Sequence, residues 1–454
     1  MSKNFIGKES LAKRWLLYPK VAYYFVGLPF FFIHQYRETI TTEVFGYTKK
    51  EFGRYYGICT LFIFFLNFLQ IKLFDRVKSK KTYLVSILIL STVALQCLFW
   101  TKKIFDTNKL FWPLFFIYNA AVTILPSILD KLVIEYLLQN DVSTSFFGSQ
   151  KVFETIAYVT DSFLMESFVN KFKSEPGKII YLGHIHSFFV LFACFSCCLL
   201  PISTTNLKNS VEKTKKSKIA EKNQKQEFSV KKLFEKKFVI FNLTVLMAGI
   251  VRTGLTNHLS AYYKNVLKIV PKTSTEQRKN FIDYKYLYEY KPLSLITTSS
   301  VIFELLGFGM SKYIIQYLGL YFPALLGHFF NCVRLYFYIN LKPSSLNTGN
   351  ANKLTLYVIL IETLKGLGFG LILPSATQIS VLLVDDSMKT AASVIFSGFY
   401  SGISFFFSGI FISPILGITE NFENYKKYFM VCFCVSVVSG LIYCSLFIKK
   451  FLRC

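Results

Sequence analysis

Leaving aside Lys72 and Lys312 near the ends of theirs, thirteen acidic and basic side chains lie inside long apolar stretches of this sequence, and they are its most chemically loaded feature. The bases are Lys20, Lys131, Lys151, Arg252, Arg334 and Lys365; the acids are Asp130, Glu135, Glu154, Asp161, Glu166, Glu304 and Glu362. A charged group at the centre of a membrane helix costs about 2.5–3.5 kcal/mol on insertion scales. So many are tolerable only if they face a polar interior or one another. The near balance of signs suits mutual pairing, and a purely structural bundle has little reason to carry them. They point to a path for a solute.

Some spacings say more. Lys151, Glu154, Tyr158 and Asp161 share one face of a helix, and Lys151 can pair with Glu154 three residues on. Glu362 and Lys365 have the same spacing. The plain alternative for each is a static ion pair that fixes helix packing. Arg252, His258 and Asn257 fall on one segment. Asp130, Glu304, Arg334 and Arg252 have no obvious partner within their own helices, which makes them the stronger candidates for substrate or proton work.

Two other patterns are weaker. Gly366, Gly368 and Gly370 form G-x-G-x-G inside an apolar stretch, not after a strand, so close helix packing explains them better than a dinucleotide. His184 and His186 stand too far from Cys194, Cys197 and Cys198 for one tetrahedral metal site, and no metal or cofactor is expected. No P-loop, G-x-S-x-G or H-E-x-x-H is present, which leaves an ATP-driven pump or a membrane hydrolase without support.

The elements that must position these groups follow from composition. Of 454 residues, 53% are hydrophobic, 18% aromatic and 17% charged, and mean hydropathy is +0.41. A soluble domain carries about 25% charged residues. Twelve apolar blocks run near 16–36, 55–73, 82–100, 110–138, 146–170, 179–200, 238–263, 293–315, 319–341, 354–384, 390–415 and 428–448. Blocks of this length without strict alternation mean spanning helices, because only helices and closed barrels satisfy every backbone group in lipid. The expected fold is therefore an all-α integral membrane protein of twelve spans.

Ile202–Lys237, with eleven basic residues, divides the blocks six and six and reads as a polybasic cytosolic linker. The expected organisation is a tail at 1–15, a six-helix bundle at 16–201, the linker at 202–237, a second bundle at 238–448 and a tail at 449–454. A second polar stretch, Lys264–Pro292, interrupts the later blocks. Basic clusters at Lys72–Lys81 and in the linker place both termini in the cytosol. The net charge of +26 sits mostly between apolar blocks, where it meets anionic lipid at the cytosolic face, not nucleic acid. Nine of the ten Cys lie within blocks and read as small hydrophobes, not a disulfide framework.

After the second block the chain reads Leu73-Phe-Asp75-Arg76-Val-Lys78-Ser-Lys80-Lys81. This resembles the signature between helices two and three of the major facilitator superfamily, with Ile71 and Lys78 where the family has Gly. The resemblance implies that Asp75, Arg76, Lys80 and Lys81 form a cytosolic gate latch. A charged turn at a helix end can pair in one state and release in another.

Further segments resemble the MFS_1-like branch, related to lactose permease and nucleoside:proton symporters. They are Pro19-Lys20-Val-Ala-Tyr-Tyr-Phe25, Pro126-Ser-Ile-Leu-Asp130, Gly148-Ser-Gln-Lys151 with Lys where Arg is usual, Glu304, Arg334, and Glu362-Thr-Leu-Lys-Gly366 with Lys365 where the branch tends to have His. The resemblance implies two six-helix bundles with inverted repeats and a site near the midplane between them.

The function expected on these grounds is secondary active transport of a small polar solute, sugar- or nucleoside-like, by alternating access. Asp130, Lys151, Glu154, Arg252, Glu304, Arg334 and Glu362 would line or gate the path. If protons drive it, Glu304 or Glu362 is the expected carrier, since a carboxyl in low dielectric can load and release a proton near neutral pH. The alternatives are an exchanger or facilitator of anionic metabolites such as nucleotides or acyl-CoA, or a receptor-like protein that keeps the fold without transport. The expected setting is a monomer in the plasma membrane.

Overall fold

A computed structural model describes residues 16–105, 108–140, 142, 147–173, 179–200, 235–269, 291–341, 351–384, 392, 395–416 and 421–451. Among these residues the chain is almost entirely helical, with no strand. The tail at 1–15, most of the polybasic linker (202–234) and residues 270–290 lie outside them, as do 452–454.

The described helices are α1 (Leu17–Phe31), α2 (Lys49–Arg76), α3 (Lys80–Phe105), α4 (Phe111–Gln139), α5 (Phe147–Lys173), α6 (Ile180–Leu199), α7 (Lys236–Ala261), α8 (Pro292–Leu318), α9 (Phe322–Asn340) and α10 (Ala351–Leu382). A broken eleventh segment, 395–416, precedes α12 (Phe422–Phe451). Eight of these elements are long and apolar enough to cross a membrane. The other four are α1, α2, α5 and α9; α1 has only 15 residues, and α2 and α5 carry much of the charge.

Local chemistry sets the helix ends. Pro292 sits in the first turn of α8, where its missing N–H is no loss, and Gly319 ends that helix with φ of 74°. Thr48 and Glu51 form a reciprocal box at the start of α2: Glu51 Oε2 accepts from Thr48 N at 2.8 Å, and Glu51 N donates to Thr48 Oγ1 at 3.2 Å. These bonds hold the exposed Glu51 carboxyl below its usual range. The eleventh segment departs from regular helix: π turns at Gly398–Ile403 and Ser408–Ile412 flank one α turn, Ser404–Phe407, and a 3₁₀ turn, Ser413–Leu416, closes it.

The chain forms two compact units. The first comprises residues 1–34, 65–161 and 175–225. Here α1 packs on α4 and α6, and α3 on α4 and α6. The second comprises 35–64, 162–174 and 226–454. In it α10 packs on α8 and α9, α12 on α7 and α9, and α7 on the broken segment.

The glycine run acts through close approach. A Cβ at Gly370 would stand 3.0 Å from the Glu304 carbonyl oxygen and from Gly307 Cα, and one at Gly368 would stand 3.2 Å from the Gly327 oxygen. Gly370 therefore faces α8 and Gly368 faces α9, as expected for a packing motif.

Candidate functional site

In the first unit, a polar cluster joins α1, α4 and α5. Asp130 on α4 accepts from Tyr23 Oη at 2.8 Å and from Lys151 Nζ at 2.7 Å. Lys151 also lies 3.8 Å from Glu154 Oε2. The expected pair within α5 is present, but the closer partner of Lys151 is the carboxylate on another helix. Tyr23 can reach because α1 packs on α4, and α1 also runs close to α5, with Ala157 only 2.8 Å from where a Gly27 Cβ would be.

Two carboxylates thus share one ammonium. Asp161, two turns along α5, is buried, and its Oδ1 has no hydrogen-bond partner among the described residues. That is costly unless the group is neutral or meets water.

In the second unit, Arg334 on α9 gives Nε and Nη2 to Glu362 Oε1 on α10, at 2.9 and 2.7 Å. Tyr338 Oη donates to the same oxygen at 2.7 Å and lies 2.6 Å from Tyr263 Oη. Both charges are buried. The sequence spacing suggested Glu362 with Lys365. The structure instead gives Glu362 to Arg334, whose planar guanidinium on another helix brings two N–H groups onto one carboxylate oxygen.

Lys365 has no carboxylate at ion-pair distance among the described residues; Glu362, Arg334, Glu304 and Arg252 are its charged neighbours. Glu304 is half-buried on α8, near Lys365 and Tyr400. Arg252 on α7 lies over Phe369 of α10 at 4.6 Å and over Tyr400 at 5.0 Å, and its Nη1 donates to Ser401 Oγ at 3.3 Å.

A further set of groups in the second unit lies off the predicted path. Glu38, in the short helix Arg37–Thr39 that follows α1, sits 2.9 Å from His258 Nδ1 and 3.2 Å from Lys49 Nζ. Lys49 also donates to Tyr425 Oη at 3.0 Å. Burial alone would raise the Glu38 carboxyl, but His258 and Lys49 together outweigh it and hold the carboxyl below its usual range. A depressed carboxyl stabilises above its unfolded value, about 4.3, and that contribution is lost as pH falls through the lower folded value. Glu38→Gln is therefore expected to lower the melting temperature at pH 7 and to flatten its decline between pH 5 and 3. Differential scanning fluorimetry against pH checks this; an unchanged acid limb would refute it.

Glu166 on α5 caps α8. It accepts from Leu293 N at 3.1 Å, from Ser294 N at 2.8 Å, and from the Ser294 hydroxyl. Lys291 donates to Ser167 and, at 3.0 Å, to the Phe163 carbonyl oxygen. Burial pushes the Lys291 ammonium below its usual range, with Glu166 pulling the other way. Sequence counting marked Glu166 as an in-span acid, but nothing local marked its partners.

At the expected latch, Lys80 pairs with Glu135 of α4 and lies over the Phe74 ring. Lys81 reaches the Cys198 carbonyl oxygen at 3.4 Å. Both partners belong to the same unit as the lysines. Arg76 is exposed at the end of α2, and the Asp75 side chain lies outside the described residues. No three His, Cys, Asp or Glu side chains converge on a metal site among the described residues.

The chain belongs to the MFS_1 like family, whose model matches residues 39–425. Comparison with curated proteins finds no match. Among solved structures, a mutant of the nucleoside transporter NupG is 14% identical with a TM-score of 0.71, covering 95% of this chain and 99% of that one. The inward-open xylose transporter XylE from E. coli is 11% identical, with a TM-score of 0.63 and 95% of each chain covered. A POT family transporter in complex with a thioalcohol-conjugated peptide is 12% identical, with a TM-score of 0.66 and 96% of each covered. At these identities the likeness is one of fold. The protein is an integral multi-pass membrane protein with the major facilitator fold, and its family and structural neighbours are transporters, not enzymes.

Proposed function

We propose that this protein is a secondary active transporter that moves a small polar solute by alternating access. The observation that carries the reading is the pair of charge clusters on spanning helices, Tyr23–Asp130–Lys151–Glu154 and Arg334–Glu362–Tyr338. Ion clusters of this kind in spans mark solute and ion pathways. Neighbours named as a nucleoside transporter, a xylose transporter and a POT family transporter in complex with a conjugated peptide support a small polar cargo.

In this reading the clusters handle the solute, and protons drive accumulation. Asp130 and Glu154, sharing Lys151, exchange a proton as the cargo is taken and released, and Glu304 serves as a second carrier. Asp75, Arg76, Lys80 and Lys81 form the cytosolic latch. The protein works as a monomer in the plasma membrane with both termini in the cytosol and its basic face on anionic lipid.

The test is uptake into proteoliposomes under an imposed pH gradient, across a panel of sugars, nucleosides and short peptides. Accumulation is expected with the gradient and lost when a protonophore collapses it. Asp130→Asn is expected to lower gradient-driven accumulation by at least about tenfold while counterflow persists, because proton transfer by a placed group contributes factors of about 100 or more. Equal accumulation with and without the gradient would exclude proton coupling.

A further inference from the structure

Arg252 differs from the paired charges on spanning helices. It lies near the middle of α7, and no carboxylate is within ion-pair distance of it among the described residues. Its guanidinium is held by ring faces, Phe369 at 4.6 Å and Tyr400 at 5.0 Å, with the two rings stacked at 6.0 Å from each other. Ser401 Oγ takes one N–H at 3.3 Å. Guanidinium has five N–H donors in a planar fork. Ring faces satisfy its plane, and beyond the N–H given to Ser401 its edge donors meet no hydrogen-bond partner among the described residues.

The backbone builds this arrangement. A Cβ at Gly249 would lie 2.6 Å from the Tyr400 carbonyl oxygen, so α7 runs directly against the π turn Gly398–Ile403, one helical turn before Arg252. That π turn supplies both Tyr400 and Ser401. Single π turns within helices are frequent at functional sites.

The surrounding charge is unbalanced in the same direction. Arg334 and Glu362 satisfy each other. Among the described residues the other charged neighbours of Lys365 are Arg252 and Glu304, and Lys365 too has no carboxylate at ion-pair distance among them. Arg252 is half-buried and Ser401 exposed, so the open edge of the fork is reachable. A charge within a spanning helix is affordable where water or cargo reaches it, not against hydrocarbon.

We propose that Arg252, held by Phe369, Tyr400 and Ser401 and supported by Lys365, is the anchor for an anionic group on the transported solute, a carboxylate or a phosphate. This rests on the transport reading above. The oxyanion takes two edge N–H groups of the fork, the bidentate geometry that guanidinium offers to planar and tetrahedral oxyanions alike. The neighbouring ring faces suit an apolar or aromatic portion of the same solute.

The test uses the full-length protein in detergent, titrated with matched neutral and charged solutes: uridine against uridine monophosphate, and glucose against glucose 6-phosphate and glucuronate. Melting is followed by scanning fluorimetry. A charged member is expected to raise the melting temperature where its neutral counterpart does not, with phosphate or carboxylate identified by which arm responds. Arg252→Gln is expected to weaken that response about 10- to 100-fold, as for loss of a hydrogen bond to a charged group. Arg252→Lys, which keeps the charge and loses the fork, is expected to fall between, and it serves if the Gln variant does not fold. Neutral solutes binding as well as charged ones, a response unchanged in both variants, or no response to any of the five solutes would overturn the proposal.

Uptake of the same solutes into proteoliposomes separates the two readings. Uptake of a neutral member that is indifferent to Arg252→Gln sinks the anion anchor and leaves transport standing. Charged-solute binding that depends on Arg252, without uptake of any solute, sinks transport and leaves the anchor.

Discussion

Arg334→Met is expected to destabilise the protein by about 3–5 kcal/mol, among the largest effects of any single substitution in this chain. Glu362 Oε1 accepts three donors, two from Arg334 and one from Tyr338, and both charged groups are buried. Removing the guanidinium leaves a buried carboxylate without its cation. Lys365 is a turn away on the same helix but does not reach ion-pair distance. The cost should therefore come mainly from the orphaned charge, not from lost attraction. The double change Arg334→Met with Glu362→Gln is then expected to recover most of the loss, since neutral groups of similar volume often replace a buried pair at little cost. Thermal melting of the purified protein in detergent measures both. A single variant as stable as the parent, or a double variant as unstable as the single, would contradict this account. If the pair also handles solute, the double variant regains stability without regaining uptake.

The comparison of spacing with structure shows which interactions a linear reading can find. The apolar blocks were legible because lipid imposes a length and a polarity that no other environment does. The charges inside them were legible for the same reason: they break the pattern. The Lys151–Glu154 pair follows from helical periodicity, and so does the packing role of Gly366, Gly368 and Gly370.

What spacing cannot supply is the choice among partners on different helices. Asp130 and Lys151 are 21 residues apart, and Tyr23 reaches Asp130 across 107. Glu362 had a visible candidate in Lys365 and took Arg334, because cross-helix packing delivered a fork to it. Glu38 gives no signal in the sequence because it lies between apolar blocks, where a charge is ordinary. The π turns of 395–416 left no pattern in composition, yet they set Tyr400 and Ser401 against Arg252.

Glu166 is the case where the hidden partner is backbone. Its carboxylate sits at the start of α8 and occupies the N–H groups of Leu293 and Ser294 and the Ser294 hydroxyl. The first N–H groups of a helix have no partner within it, and the helix dipole favours an anion there. Here the cap comes from α5, 127 residues earlier in the chain, so it also ties the end of α5 to the start of α8. Lys291 adds to the tie through Ser167 and the Phe163 carbonyl oxygen, and Gln35 reaches Thr297 at 3.2 Å.

Glu166→Ala removes three accepted hydrogen bonds. With part of the loss recovered by water, the net bias toward opening is about 2–3 kcal/mol, or roughly 30- to 150-fold in the opening equilibrium. Hydrogen–deuterium exchange read by mass spectrometry over residues 291–300 is expected to accelerate by that factor. Glu166→Gln, which keeps one acceptor oxygen, should fall between. A static cap and a working clasp part company at the next measurement. If the tie must release for transport, Glu166→Ala alters the rate of solute counterflow as well as the exchange. If it only staples two helices, exchange rises and counterflow does not. Exchange that stays slow in the Ala variant would mean that other contacts hold the α8 start, and that the carboxylate is not what binds these two helices together.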